Sequence, residues 1–197
     1  MWSLLVLIVP LAFSLTISPG PNNVMAMASG TNFGYFRSLP VISGFALGLG
    51  SMILSAGLGL GQIFVAFPLV HEVLKYVAVA YLLYLAWRIA GSGGVKETNA
   101  EQKPLSFMQG ILFQWVNPKA WMVSISAVAS FSLPEADPLT QSLLIALVFT
   151  LVAFPSVSIW AIVGRIIAKY LQSPKALRIF NISIAGLLVL SLIFLFT

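Results

Sequence analysis

The chain has no cysteine, one histidine and only five acidic residues among 197. Without cysteine, disulfides, thiolate metal sites and thiol redox chemistry are excluded. The acids are Glu72, Glu97, Glu101, Glu135 and Asp137, all at the ends of apolar stretches or between them. An intramembrane hydrolase would need a nucleophile with a base, or paired carboxylates, inside those stretches, so an enzyme is not expected. Charge of either sign is rare as well: 8% of residues are charged and 59% hydrophobic. A soluble domain has about half apolar and a quarter charged residues, so this is an integral membrane protein with no room for a soluble domain.

Six charge-poor stretches are expected to span the bilayer, at 2–29, 39–67, 70–90, 105–133, 139–163 and 179–196. The N-terminus has no positive region and no small-residue cleavage site before the apolar run continues, so it reads as a retained helix. The glycines and mixed charges of "GSGGVKETNAEQKP" mark a flexible linker at 91–104. It divides a single transmembrane domain, 1–197, into halves 1–90 and 105–197, each with three spans. Arg37, Arg88, Lys96, Lys103, Arg165, Lys169, Lys175 and Arg178 fall on one side of that arrangement. The opposite loops carry Lys75 with Glu72, and Glu135 with Asp137. Lys/Arg-rich short loops stay cytoplasmic, which puts the linker inside and both termini outside. The net charge of +5 is dispersed and reflects orientation; a nucleic-acid partner is not expected. Three spans per half make the halves run in opposite senses, as an inverted repeat.

The first span of each half is interrupted, by "SPGPNN" in one and "WVNPKAW" in the other. Proline cannot donate to the helix ladder and its ring clashes with the carbonyl one turn back. Pro19, Gly20 and Pro21 therefore divide the first span into two half-helices, the second starting near Pro21 with Ser18 or Gly20 as cap. Asn117 before Pro118 reads as an N-cap followed by proline at the first helical position. In opposed halves the two new N-termini approach each other at mid-membrane, and their positive ends suit a carboxylate. Asn22, Asn23 and Asn117 add polar groups at that depth. A helix starting only after Lys119 would supply about 21 Å, short of a roughly 30 Å core, so Lys119 falls inside the span. An intramembrane lysine is costly and is a functional candidate. The bland alternatives are packing kinks at the prolines and a Lys119 that snorkels from a re-entrant piece.

The remaining features read as structural. Gly44, Gly48, Gly50, Gly57, Gly59 and Gly61 place small residues where helices approach closely. Pro155 is expected to kink the fifth span, with Ser156 and Ser158 either packing or lining a cavity. His71 is expected at an outer membrane edge.

The stretches "SPGPNNVMAMASGTNFGYFRSLP…GFALG" and "QWVNPKAWMVSISAVASF" resemble the lysine exporter (LysE/RhtB) superfamily of amino-acid efflux proteins, over essentially the whole chain. "AYLLYLAWRIA" and "KPLSFMQG" lean toward the branch exporting cysteine and O-acetylserine. The resemblance implies a proton-driven carrier of the bacterial inner membrane that exports small amino acids or their derivatives, with no cofactor. Its expected partners are the substrate, the lipid bilayer and a second copy of the chain. By motif, the resemblance carries substrate binding onto Pro19, Gly20, Pro21, Asn22, Asn23, Asn117, Pro118 and Lys119. With no carboxylate or histidine at depth, Lys119 is also the candidate for proton coupling. The same lack of acids disfavours a lysine or arginine substrate, whose side-chain cation would go unmatched. A passive channel or a non-transporting accessory subunit is the alternative reading. A metal exporter stands further back, for want of Cys, His or carboxylate ligands in the spans.

Overall fold

The computed structural model describes residues 2–60, 68–92, 103–133 and 135–195. Residues 93–102 of the expected linker therefore lie outside the described residues, with Lys96, Glu97 and Glu101, as do Gly61 and the His71 side chain. All regular structure among the described residues is helical. In chain order the helices are α1 (Trp2–Ile17), α2 (Pro21–Phe33), α3 (Tyr35–Gly57) and α4 (Pro68–Ala90), then α5 (Phe107–Trp115), α6 (Pro118–Phe131), α7 (Pro138–Ala168) and α8 (Pro174–Ser191). Three of them, α3, α7 and α8, are each long and apolar enough to cross a membrane.

Local chemistry sets the helix boundaries. Helices α2, α6, α7 and α8 all begin with proline in the first turn, after Gly20, Asn117, Asp137 and Ser173 respectively. Proline loses nothing there, because first-turn N–H groups have no partner within the helix. This is why α8 starts at Pro174, ahead of the apolar boundary expected at 179: the cap, not the hydropathy, begins the helix. Gly34, between α2 and α3, has φ 80°, a left-handed conformation that favours glycine. Pro10, Pro40 and Pro155 lie inside helices that continue through them.

Helices α3 and α7 form the central pair; α1 and α2 run along α7, α5 and α6 along α3, and α4 packs on α8. The glycines of α3 do serve packing. A Cβ on Gly44 would lie 2.2 Å from Phe107 O, and one on Gly110 would lie 2.7 Å from Val41 O, so α3 and α5 cross backbone to backbone. A second crossing, not anticipated from the sequence, joins α2 to α7: a Cβ on Gly30 would lie 2.0 Å from Ala161 O, and one on Gly164 the same distance from Met27 O.

The buried apolar residues fall into two clusters. One joins α2, the first half of α3, α4, α5, the second half of α7 and α8 around Phe45 and Phe113. The other joins α1, the second half of α3, α6 and the first half of α7 around Met52 and Phe149. The outer faces are apolar too: Phe36, Trp87, Met122 and Leu151 are all more than 60% exposed. Soluble helices put polar residues on that face.

Candidate functional site

The two clusters meet at the level where α1 gives way to α2 and α5 to α6. Prolines free backbone carbonyls there, and each freed group needs a donor. Pro19 cannot donate to Leu15 O, and Ser18 Oγ does so at 2.9 Å. Pro21 cannot donate to Ile17 O, which takes Trp160 Nε1 from α7 at 2.9 Å. Asn23 Nδ2 donates to both Thr16 O and Ser18 O at 2.8 Å. The ammonium of Lys119 crosses from α6 to the end of α1, donating to Ser18 O and Ser18 Oγ at 2.7 Å and to Pro19 O at 3.2 Å. Its three donors are thereby used, at a carbonyl end whose dipole favours a cation.

This contact explains Gly20. Its φ of −179° is extended backbone that any residue adopts. Space is the constraint: a Cβ there would lie 2.7 Å from Lys119 Cδ and 3.1 Å from Nζ. Glycine lets the lysine lie across the break. It also leaves α2 without a side-chain cap, so the first-turn amides of Asn22 and Asn23 carry the positive helix end unshielded.

The second break is arranged differently. Asn117 Oδ1 accepts from Lys119 N at 3.1 Å, the N-cap expected from the sequence. The carbonyl that Pro118 would have served, Gln114 O, takes Asn117 N at 3.0 Å, and Trp115 O takes Trp121 Nε1 at 2.8 Å. Asn117 Nδ2 then links the two breaks by donating to Asn22 Oδ1 at 3.0 Å. Gln114 Nε2 ties the layer to α3 through Phe45 O at 2.8 Å.

Between the breaks lies a cavity of about 30 Å³, lined by Gly20, Asn22, Asn23, Asn117 and Lys119 with Thr16, Gln114 and apolar residues of α1, α3, α6 and α7. That is room for one or two waters, not for an amino acid. Of the eight residues expected at the site, those five line it; Pro19, Pro21 and Pro118 shape the backbone around it and are not in its lining. Ser156 and Ser158 do not line it either. Thr16 Oγ1 lies 2.9 Å from Ser156 Oγ, and Tyr35 donates to Ser158 at 3.3 Å, so these hydroxyls join α7 to α1 and α3. Thr16, Gln114 and Trp160 are participants that the sequence reading missed. Gln114 was findable, as the second amide of α5, after the apolar run Ile111–Phe113 and three residues before Asn117.

A family model described as LysE type translocator matches residues 13–196. The chain belongs to the LysE-type translocator family. Among curated relatives of this LysE-type chain, a "Cysteine/O-acetylserine efflux protein" of Salmonella typhimurium is 33% identical over 174 residues, 88% of this chain and 87% of that one. The protein of the same name from Escherichia coli K12 is 32% identical over the same shares. No solved structure gives a match. LysE-type proteins are transporters, not enzymes, and the apolar helices and exposed apolar faces are those of a membrane protein.

Proposed function

We propose that the chain exports small neutral amino acids or their derivatives, cysteine and O-acetylserine among them, across the bacterial inner membrane. The substrate sits between the two breaks, its carboxylate at the uncapped N-terminus of α2 and beside the Lys119 ammonium. The observation that carries this reading is the lysine itself, which crosses from one break to the other and holds a cation at the carbonyl end of α1, beside the uncapped N-terminus of α2. Pro19 O, the longest of its three contacts, is the one a carboxylate would replace. The family and the named relatives support amino-acid export.

The protein spans the bilayer six times as an inverted repeat, with both termini outside. Reciprocal packing supports the repeat: the broken pair of each half lies along the middle helix of the other, α1 and α2 on α7, α5 and α6 on α3. A cavity of about 30 Å³ between two apolar clusters, which must widen before it admits an amino acid, supports a carrier that changes conformation over an open channel. Export is driven by protons, and Lys119 is the group that gains and loses one.

Proteoliposomes containing the purified protein test the transport reading: saturable, pH-gradient-dependent cysteine flux is expected, and unsaturable or absent flux contradicts it. Lys119→Arg tests the coupling, since arginine keeps the charge but does not release its proton. Full gradient-driven export by that variant would leave only a fixed-charge role. Reporter fusions after Ser92 and Glu135 test topology, with a cytoplasmic reading expected at the first and an external one at the second.

A further inference from the structure

Asn23 is 2% exposed and lines the cavity. Its amide nitrogen is committed to two carbonyls, Thr16 O and Ser18 O. This fixes the amide orientation, because a flipped side chain would set Oδ1 against two other acceptors. Oδ1 is thereby turned away from the carbonyls and has no donor. Among the described residues it is the only buried side-chain nitrogen or oxygen without a hydrogen-bond partner. Buried polar atoms are nearly always paired, and an exception in a residue that lines a cavity points to what reaches it when the cavity widens.

The surroundings specify the donor. No acidic side chain lines the cavity, so a cation arriving there must be received by neutral acceptors. At the break, the C-terminal end of α1 and the N-terminal end of α2 face each other, one favouring positive and the other negative charge. Asn23 stands in the first turn of α2 and holds the last carbonyls of α1, so its free oxygen lies at the junction of the two. An α-amino acid carries an ammonium and a carboxylate on one carbon and matches that pair of ends. We infer that Asn23 Oδ1 accepts a hydrogen bond from the substrate's α-ammonium, so that a free amino group is a requirement for export. This rests on the proposed exporter site and adds to it a residue that selects the zwitterion over other small carboxylates.

The test is inhibition of radiolabelled cysteine counterflow in proteoliposomes under reducing conditions. Unlabelled L-cysteine is compared with 3-mercaptopropionate, which keeps the thiol and carboxylate but lacks the amino group. In wild type, 3-mercaptopropionate should compete at least about tenfold more weakly, the loss expected for one hydrogen bond to a charged group. In Asn23→Ala, cysteine should weaken until the two compete within about threefold, with 3-mercaptopropionate unchanged. Asn23→Ser, which keeps a small polar side chain for the fold but falls short of the ligand, should close the gap likewise. Equal competition in wild type overturns the inference, as does a gap that persists in both variants. In either case saturable cysteine counterflow leaves the exporter reading intact, whereas absence of counterflow in wild type overturns both.

Discussion

The two breaks carry similar sequence signals and solve their backbone problem in opposite ways. At 115–118 the solution is local: Asn117 caps α6, its own amide serves Gln114 O, and Trp121 covers Trp115 O. At 17–21 Ser18 and Asn23 cover carbonyls locally, and the rest of the solution is imported. Trp160 comes from α7 and Lys119 from α6, α2 has no side-chain cap, and Asn23 is left with an unspent acceptor. A self-satisfied break is a scaffold, whereas a break held together by distant groups can exchange them for a ligand. On the proposed reading, the second break supports Lys119 and the first receives the substrate.

Breaking the bridge between them should have the largest effect. Lys119→Met removes three hydrogen bonds from a charged donor. Export in proteoliposomes should fall roughly a hundredfold, the loss of about 3 kcal/mol expected for one hydrogen bond from the ammonium to the substrate carboxylate. Gly20→Ala should cost about tenfold in export with little change in melting temperature, because alanine adopts the backbone and only the flexible lysine must move. Wild-type export by that variant would mean that the lysine's path over Gly20 is unimportant.

Asn117 and Asn22 sharpen the comparison further, because they face each other across the two breaks. Asn117→Ala should lower both stability, by about 1 kcal/mol for a lost cap, and export several-fold. Asn22→Ala, which caps nothing, should lower export several-fold and leave the melting temperature nearly unchanged. Equal destabilisation by the two would erase the distinction between scaffold and site.

The smallest effect is expected far from both breaks, at the N-terminus of α7. There the Thr140 hydroxyl and backbone amide donate to Asp137 and hold its carboxyl below the usual range. The stability it adds is present above the unfolded carboxyl pKa of about 4 and is lost as pH falls through the lower, folded value. Asp137→Asn caps equally well at neutral pH. Its melting temperature should match wild type near neutrality, vary less with pH in the acid range, and be accompanied by unchanged export.

Much of this was legible in the sequence. Proline and its capping neighbours act within one turn, so the starts of α2 and α6 and the Asn117 cap could be read from residues in a row. The glycines of α3 were legible as packing for the same reason, a spacing along one helix. What was not legible depends on residues brought together by the fold. Nothing near Trp160 says that it serves Ile17 O, and Gly20 reads as a helix cap until Lys119 is seen lying across it. The breaks suggested two positive helix ends around the lysine; the structure instead sends its ammonium to the carbonyl end of α1. Asn23 was picked out as polar, but only the pairing of its nitrogen identifies the oxygen as the free group.

Because the chain has no native cysteine, one introduced thiol can report directly on whether the cavity between the breaks holds the substrate. Val123 lines that cavity, and Ser132 lies exposed at the far end of the same helix. The measurement is the rate at which a small methanethiosulfonate reagent modifies Val123→Cys and Ser132→Cys in proteoliposomes, with and without O-acetyl-L-serine. A substrate bound between the breaks should slow modification at position 123 about tenfold or more, as expected for a site kept largely occupied, and leave position 132 unchanged. Undiminished labelling at 123 under conditions that saturate transport would place the substrate elsewhere and contradict the assignment of the site.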